Sequence, residues 1–280
     1  MQKLLVVDGS NLLFQMFYGM PARIVNKEGK LIHGTLGFVG ALLKILRMTT
    51  PTHAVVLFDG ESFNERVEID ADYKANRPDY SEMPEEETPF SQLPDIYAAL
   101  DFLKIAHTET TVCETDDVVA SYAIRYGKGM EIVIASFDSD FFQLIGENVK
   151  VLRYRGDKTQ ICDREYLQEK FGIEPCCYAD FKSLTGDNAD NIKGAYKIGP
   201  KTAAKLINEF GSLQGLLENA EKIKSESVKN SILEAKERLL KNCLLITLND
   251  RAELPFTLEE LSFADSGVKT GEVLQAIGLR

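Results

Sequence analysis

The chain predicts an α/β fold built on a mostly parallel central sheet with flanking helices. Two observations carry that expectation: three short apolar runs that each close on an acid, and helix-like stretches lying between them. Residues 3–8 (KLLVVD), 53–59 (HAVVLFD) and 131–138 (EIVIASFD) read as strands buried on both faces, as in a parallel sheet. Residues 34–48 (GTLGFVGALLKILRM) carry apolar side chains at helical spacing, and 116–126 (DDVVASYAIRY) does so behind Thr115 as a candidate N-cap. Strands alternating with helices make a layered α/β architecture, in which ligands bind outside the carboxyl ends of the strands. Asp8, Asp59 and Asp138 all fall at that edge.

Residues 72–93 (DYKANRPDYSEMPEEETPFSQL) interrupt the alternation with three prolines and the acidic run 85–87, and read as a surface excursion, a lid or arch. Residues 149–154 (VKVLRY) suit a further strand. From about Arg164 the pattern is mostly helical, broken near Gly186 and over 194–199, with a long lysine- and glutamate-bearing helix across 221–245. No internal repeat or low-complexity tract appears.

With 280 residues and 44% hydrophobic content, the chain can hold a large core domain and a smaller appendage. No apolar run approaches the roughly 20 residues of a membrane-spanning helix, and the N-terminus leads directly into a strand without a signal-peptide pattern. The five cysteines (113, 162, 176, 177 and 243) form no CxxC pair, which fits reduced thiols in cytoplasm and excludes a thiolate metal site. His33, His53 and His107 do not cluster. Phe14, Phe17 and Tyr18 follow the first strand at helical spacing and are expected to pack in the core. A net charge of −11 opposes nucleic-acid binding, but the nine carboxylates described next account for all but −2 of it.

Those nine are Asp8, Asp59, Glu114, Asp116 and Asp117 (in ETDD), Asp138 and Asp140 (in FDSD), and Asp187 and Asp190 (in TGDNADNI). Any one of them serves equally as a helix cap or turn former. Jointly they exceed what capping needs: three acids crowd one helix start, and Asp187 and Asp190 are spaced for one helical face. Gathered in one place they repel one another unless cations sit among them, and an oxygen-only set suits two Mg2+ or Mn2+ ions. Two such ions about 4 Å apart can activate water, hold a scissile phosphate and stabilise its leaving oxygen.

Taken in order, the stretches VDGSNLLF (7–14), FDG (58–60), YKANRP (73–78), ETDD (114–117), SFDSD (136–140), TGDNADNIKG (185–194) and IGPKTA (198–203) resemble the bacterial and phage 5′-nuclease family. That family includes the 5′→3′ exonuclease domain of DNA polymerase I and the stand-alone flap endonucleases. The resemblance spans about Met1 to Phe210. It implies a PIN-like catalytic core over 1–165 with a helical arch at about 72–105. It also implies a helical DNA-binding subdomain over 166–280, with a helix–three-turn–helix at about 180–210. It assigns Asp8, Asp59, Glu114 and Asp116 to one metal group, and Asp117, Asp138, Asp140, Asp187 and Asp190 to a second.

Lys74 and Arg77 match the family's pair at the arch base, which reaches the scissile phosphate; a cation there offsets charge developing on the phosphoryl oxygens. Tyr73 either stacks on a base near the junction or anchors the arch in the core. Around the GAYKIGPKTAAK turn, Gly199 and Pro200 suit a phosphate-binding helix start, and Lys193, Lys197, Lys201 and Lys205 add positive charge. Relatives commonly read GVPGIG where this chain reads GAYKIG, so Tyr196 and Lys197 replace Pro and Gly in a turn whose carbonyls form the family's K+ site.

The expectation is therefore a free-standing, metal-dependent 5′→3′ exonuclease or flap endonuclease acting on branched or 5′-flap DNA, and on RNA in RNA/DNA hybrids. It would be a cytoplasmic monomer, away from membranes, with any DNA polymerase as a separate partner. A PIN-like ribonuclease and a non-catalytic DNA-junction-binding protein are the alternatives.

Overall fold

The computed structural model describes residues 2–60, 65–80 and 83–280. A six-stranded sheet runs β3-β2-β1-β4-β5-β6. Its strands are β1 (Lys3–Asp8), β2 (His53–Asp59), β3 (Ala106–Thr110), β4 (Glu131–Ala135), β5 (Val149–Arg153) and β6 (Gln160–Cys162). All neighbours are parallel except β5 and β6. The chain leaves β1 towards β2 on one side and returns to β4 on the other, so β1 marks the point where the strand order reverses. A crevice opens there at the carboxyl ends of a parallel sheet.

Strand periodicity divides the apolar residues between two cores. Leu4 and Val6 of β1 join Val55, Leu57, Ile132 and Ile134 on one face, beneath α5 (Thr115–Tyr126). Leu5 and Val7 join Val56 and Phe58 on the other, beneath α1 (Gly9–Gly19), α2 (His33–Thr49) and α4 (Leu93–Leu103). Each of these apolar side chains, fully buried, contributes about 1.5–3 kcal/mol. The sheet is thereby a rigid frame for the groups at its edge. The short α3 (Glu65–Ile69) follows β2.

The later half is helical: α6 (Arg164–Phe171), α7 (Tyr178–Thr185), α8 (Pro200–Phe210), α9 (Leu213–Glu218), α10 (Glu226–Ile246) and α11 (Thr270–Ala276), with a two-stranded hairpin of β7 (Gly186–Asp187) and β8 (Ile192–Lys193) after α7. Asn242 of α10 donates to the carbonyls of Ser183 (3.0 Å) and Lys193 (2.9 Å), tying the end of α7 to the hairpin. Among the described residues no helix is long and apolar enough to cross a membrane.

Four local expectations change. Asp187 and Asp190 do not share a helical face, because Gly186 (φ +80°) ends α7 and the chain turns into the hairpin. A Cβ on Gly186 would lie 2.5 Å from the Gly194 nitrogen, so the turn admits only glycine there. Thr115 is the first residue of α5 rather than its N-cap; Glu114 holds that position, and the Thr115 hydroxyl meets that of Thr110 at 2.7 Å. The expected arch of 72–105 is not α-helical over 72–92: among the described residues it consists of turns and two 3-10 segments, Glu85–Glu87 and Pro89–Gln92. Ser81 and Glu82 lie outside the described residues. Its helix, α4, instead buries Ile96, Ala99 and Leu100 in the core. Finally, not all of 166–280 belongs to a separate helical unit. The backbone at Leu261 and Phe263 bonds to Ala54 and Thr52 beside β2, and α11 packs against α2 and α4.

The turn before α8 holds one residue in a strained conformation. Lys197 adopts φ +58°, the left-handed conformation that a glycine would take without strain. Lys197→Gly is therefore expected to raise the free energy of unfolding by about 1 kcal/mol, read from the urea midpoint at unchanged slope.

Candidate functional site

Each acid at the sheet edge is held by the strand or helix that ends beside it. Asp8 caps α1 by accepting the Asn11 amide (2.9 Å), while its second oxygen accepts the Ser136 hydroxyl (2.8 Å). Capping and site placement are thus the same interaction, with both carboxylate oxygens fixed. The Asp59 amide donates to the Ser10 hydroxyl oxygen (2.8 Å). Asp138 accepts the Asp140 amide (2.8 Å), while its own amide donates to Ser136 Oγ (2.9 Å). These residues and Asp116 line one cavity of about 660 Å³ together with Glu114, Lys74, Arg77 and the rings of Phe14, Tyr80 and Phe90.

The electrostatics of this cleft are those of crowded anions. Burial, and then the facing Asp59 carboxylate, push Asp8 up to about 7. Burial and the Asp138 charge raise Asp116 well above the ordinary carboxylate range. Glu114 behaves oppositely: burial would raise it, but the Lys74 ammonium (2.8 Å) and the Arg66 guanidinium outweigh that and hold it low. Four carboxylates, Asp8, Asp59, Asp116 and Asp138, therefore share a half-dry cleft, and their oxygen-only donor set fits a hard divalent cation.

A second group lies beside the first. Ligand oxygens of Asp140, Asp187 and Asp190 come within 4.8 Å of one another. The Asp187 side chain accepts the Ala189 amide (2.9 Å), which folds the turn that carries Asp190 inward. Asp190 pairs with Arg77 (3.0 Å), and Asp140 and Asp187 both accept from the Lys182 ammonium. Burial drives Asp140 up to about 7 even with Lys182 beside it.

Asp117 is not with them. Arg66 clamps it through both oxygens (2.8 and 3.0 Å), the Asn249 amide adds a third bond (2.9 Å), and it faces a different cavity. A carboxylate so saturated serves to join α3 and α5 to the end of α10, whose Leu245 carbonyl also accepts from Arg66 (2.9 Å).

Tyr73 is 6% exposed, packed with Ile192, Leu245 and Ile246, so it anchors the excursion and has no ring face available to a base. Lys74 follows in the left-handed conformation (φ +57°), and its amide bonds the Asp190 carbonyl (3.1 Å). Asn76 bonds the Asn188 carbonyl and Asn191 the Asp72 carbonyl, both at 2.8 Å, fastening the start of the excursion to the β7–β8 turn. Of the three aromatics after β1, only Phe17 is buried. Phe14 instead lines the cleft with Tyr80 (5.8 Å) and Phe90 (5.7 Å), and Tyr18 is 57% exposed.

Beyond the hairpin, Gly199 caps α8 without a side chain, leaving the first amides of the helix open, and Pro200 occupies the first turn. Lys193, Lys197, Lys201 and Lys205 are exposed around it, while Ala203, Ala204, Leu206 and Ile207 face the core. A helix start ringed by lysines presents a positive surface suited to phosphates.

Sequence reasoning missed Arg66 and Lys182. Arg66 sits in the charged run ERVEID, which reads as solvated surface. Lys182 had a faint signal, a lone cation between Phe181 and Leu184 immediately before TGD.

Two family models match successive parts of the chain. A family model described as 5′-3′ exonuclease, N-terminal resolvase-like domain, matches residues 3–172, and one described as 5′-3′ exonuclease, C-terminal SAM fold, matches 173–268. A 5′-3′ exonuclease of Aquifex aeolicus is 33% identical over 245 residues, covering 86% of this chain and 82% of that protein. DNA polymerase I of Streptococcus pneumoniae R6 is 32% identical over 286 residues; the whole chain aligns, but to only 32% of the polymerase. Among solved structures, the bacteriophage T5 D15 protein co-crystallised with metal ions superposes with a TM-score of 0.73 at 20% identity, over 99% of this chain and all of that one. The catalytic core of Rad2 in complex with DNA gives 0.55 at 14%, over 99% and 93%. At those identities the structures show a shared fold.

The raised carboxyls fix a pH dependence. Asp8 and Asp140 bind a proton more readily in the folded than in the unfolded chain. Their contribution is therefore fully present below the ordinary carboxylate range near 4 and is lost as pH rises through about 7. In EDTA, the Tm is expected to fall over that window. Asp8→Asn should flatten the fall, and millimolar Mn2+ should restore the wild-type Tm at the alkaline end; calorimetry reads all three.

Proposed function

The chain belongs to the 5′-3′ exonuclease family, and from that premise we propose that it hydrolyses phosphodiester bonds of DNA near a junction between single strand and duplex, releasing 5′ fragments from flaps or ends. Support comes from one convergence: four carboxylates from separate parts of the sequence share a cleft with two cations, and a lysine-ringed helix start is exposed elsewhere on the chain. The donor set suits Mg2+ or Mn2+, with Asp8, Asp59, Asp116 and Asp138 in one group and Asp140, Asp187 and Asp190 in the other. When bound, such ions supply Lewis acidity and lower the pKa of water at neutral pH.

The chain's own residues supply the rest. The Lys74 ammonium and the Arg77 guanidinium face the cleft, each held by an acid on one side (Glu114 and Asp190), so they are positioned before substrate arrives. Both can donate to the non-bridging oxygens of a scissile phosphate, which gain charge as the nucleophile approaches. Arg77 is the more adaptable, with half its side chain exposed, whereas Lys74 is nearly enclosed. Phe14, Tyr80 and Phe90 form an apolar wall opposite the acids, against which a nucleobase can lie, excluding water from one side. Duplex phosphates would meet the amides of α8 with Lys197, Lys201 and Lys205. That grip tolerates any sequence, because phosphates position a duplex without reading it.

Single-turnover cleavage of a 5′-labelled flap in Mg2+ tests this reading. Asp138→Ala is expected to abolish product while the far-UV spectrum is retained, and Lys74→Ala to slow cleavage by about 10²–10³-fold with a much smaller loss of flap affinity. Full activity of Asp138→Ala would overturn the reading.

A further inference from the structure

The two acid groups are neutralised differently. In the cleft proper, Asp8, Asp59, Asp116 and Asp138 line an open cavity whose two cations, Lys74 and Arg77, pair with Glu114 and Asp190 rather than with any of the four. In the second group, a side-chain cation already contacts two of the three acids: Lys182 of α7 is 6% exposed, and its ammonium meets Asp140 and Asp187, with Ser139 Oγ at 3.3 Å. Arg66 provides the internal comparison. Its guanidinium takes both oxygens of Asp117 while also reaching Glu114, and a backbone amide completes the Asp117 carboxylate. Around Lys182 there are more acids than one ammonium requires: three carboxylates offer oxygens within 4.8 Å of one another, and the third borrows a half-exposed arginine from the excursion. A surplus of oxygens converging around a compact cation is the donor arrangement of a hard-metal site, and a lysine on a flexible four-carbon stem can leave it.

We infer that Lys182 is an internal competitor for the divalent cation: its ammonium fills the Asp140–Asp187–Asp190 pocket in the metal-free chain, and a cation enters only by displacing it. This half of the site therefore binds more weakly than the half formed by Asp8, Asp59, Asp116 and Asp138. The lysine keeps the hairpin acids folded inward at low metal concentration and sets the concentration at which the second cation arrives. The inference rests on the metal-dependent reading above, but it concerns binding rather than cleavage.

Mn2+ titration of the full chain, followed by the electron paramagnetic resonance of free Mn2+ and by calorimetry, is the test. Wild type should show one tight and one weak class. Lys182→Met should tighten the weak class at least about tenfold and leave the tight class unchanged, and Asp187→Asn should weaken only the weak class. If Lys182→Met is unstable without metal, its Tm should rise more on adding Mn2+ than the wild-type Tm does. A weak class that is unchanged or weakened in Lys182→Met, or a Tm rise no larger than that of wild type, overturns the inference and makes Lys182 a permanent structural cation. Should that result coincide with normal flap cleavage by wild type, the inference falls alone. A chain that binds no Mn2+ overturns both readings.

Discussion

Mutual repulsion among carboxylates that the fold forces together is the constraint on which the rest of this structure depends. The sheet ends deliver Asp8, Asp59 and Asp138 to one edge, and α5 adds Glu114, Asp116 and Asp117 beside them. Buried like charges cannot all remain ionised without compensation, so each must find a cation, share a proton or reach water. All three outcomes occur within a few residues of one another, and the choice made at each acid separates the structural from the chemical ones.

Where the compensation is a guanidinium in two-oxygen contact, as at Asp117, the acid is spent on holding α3, α5 and α10 together. Where it is a lysine shared between two acids, as at Asp140 and Asp187, neither carboxylate has a cation to itself, whereas Glu114 takes Lys74 on one oxygen and Arg66 on the other. Where no side-chain cation pairs with the acid, as at Asp8 and Asp116, burial and neighbouring carboxylates lift the carboxyl above its ordinary range, at Asp116 in spite of the nearby Lys74 ammonium. The last group is the one a metal would stabilise most, because it relieves both penalties together. The base of the excursion obeys the same logic: Lys74 and Arg77 are tied to Glu114 and Asp190, so the excursion and the hairpin are positioned by the charges that a phosphate would later engage.

Much of the scaffold was legible in the sequence because its signals are local. Apolar runs ending in acids gave β1, β2 and β4, and amphipathic spacing gave α2, α5 and α10 to within a few residues. Weaker patterns hid β3 and β6: AHTET is half polar, and QIC is three residues at an edge. The return of α11 to the first half was equally hidden, since nothing local says which core a seven-residue helix will join. For Asp187 and Asp190 the spacing was read with the wrong period, because one glycine in the left-handed region turned a helix into a hairpin.

The sequence by itself determined that nine acids exist in motifs of a known family and that the chain builds a parallel sheet to gather them, since both depend on residue type and order. Only the tertiary structure decided which acids face the cleft, that Tyr73 is an anchor, that Phe14 is a wall, and that Arg66 and Lys182 are buried counter-ions. The physical reason is that an acid's role is set by the charge nearest to it in space. For Asp117 that charge lies 51 residues away in sequence, and for Asp140 it lies 42.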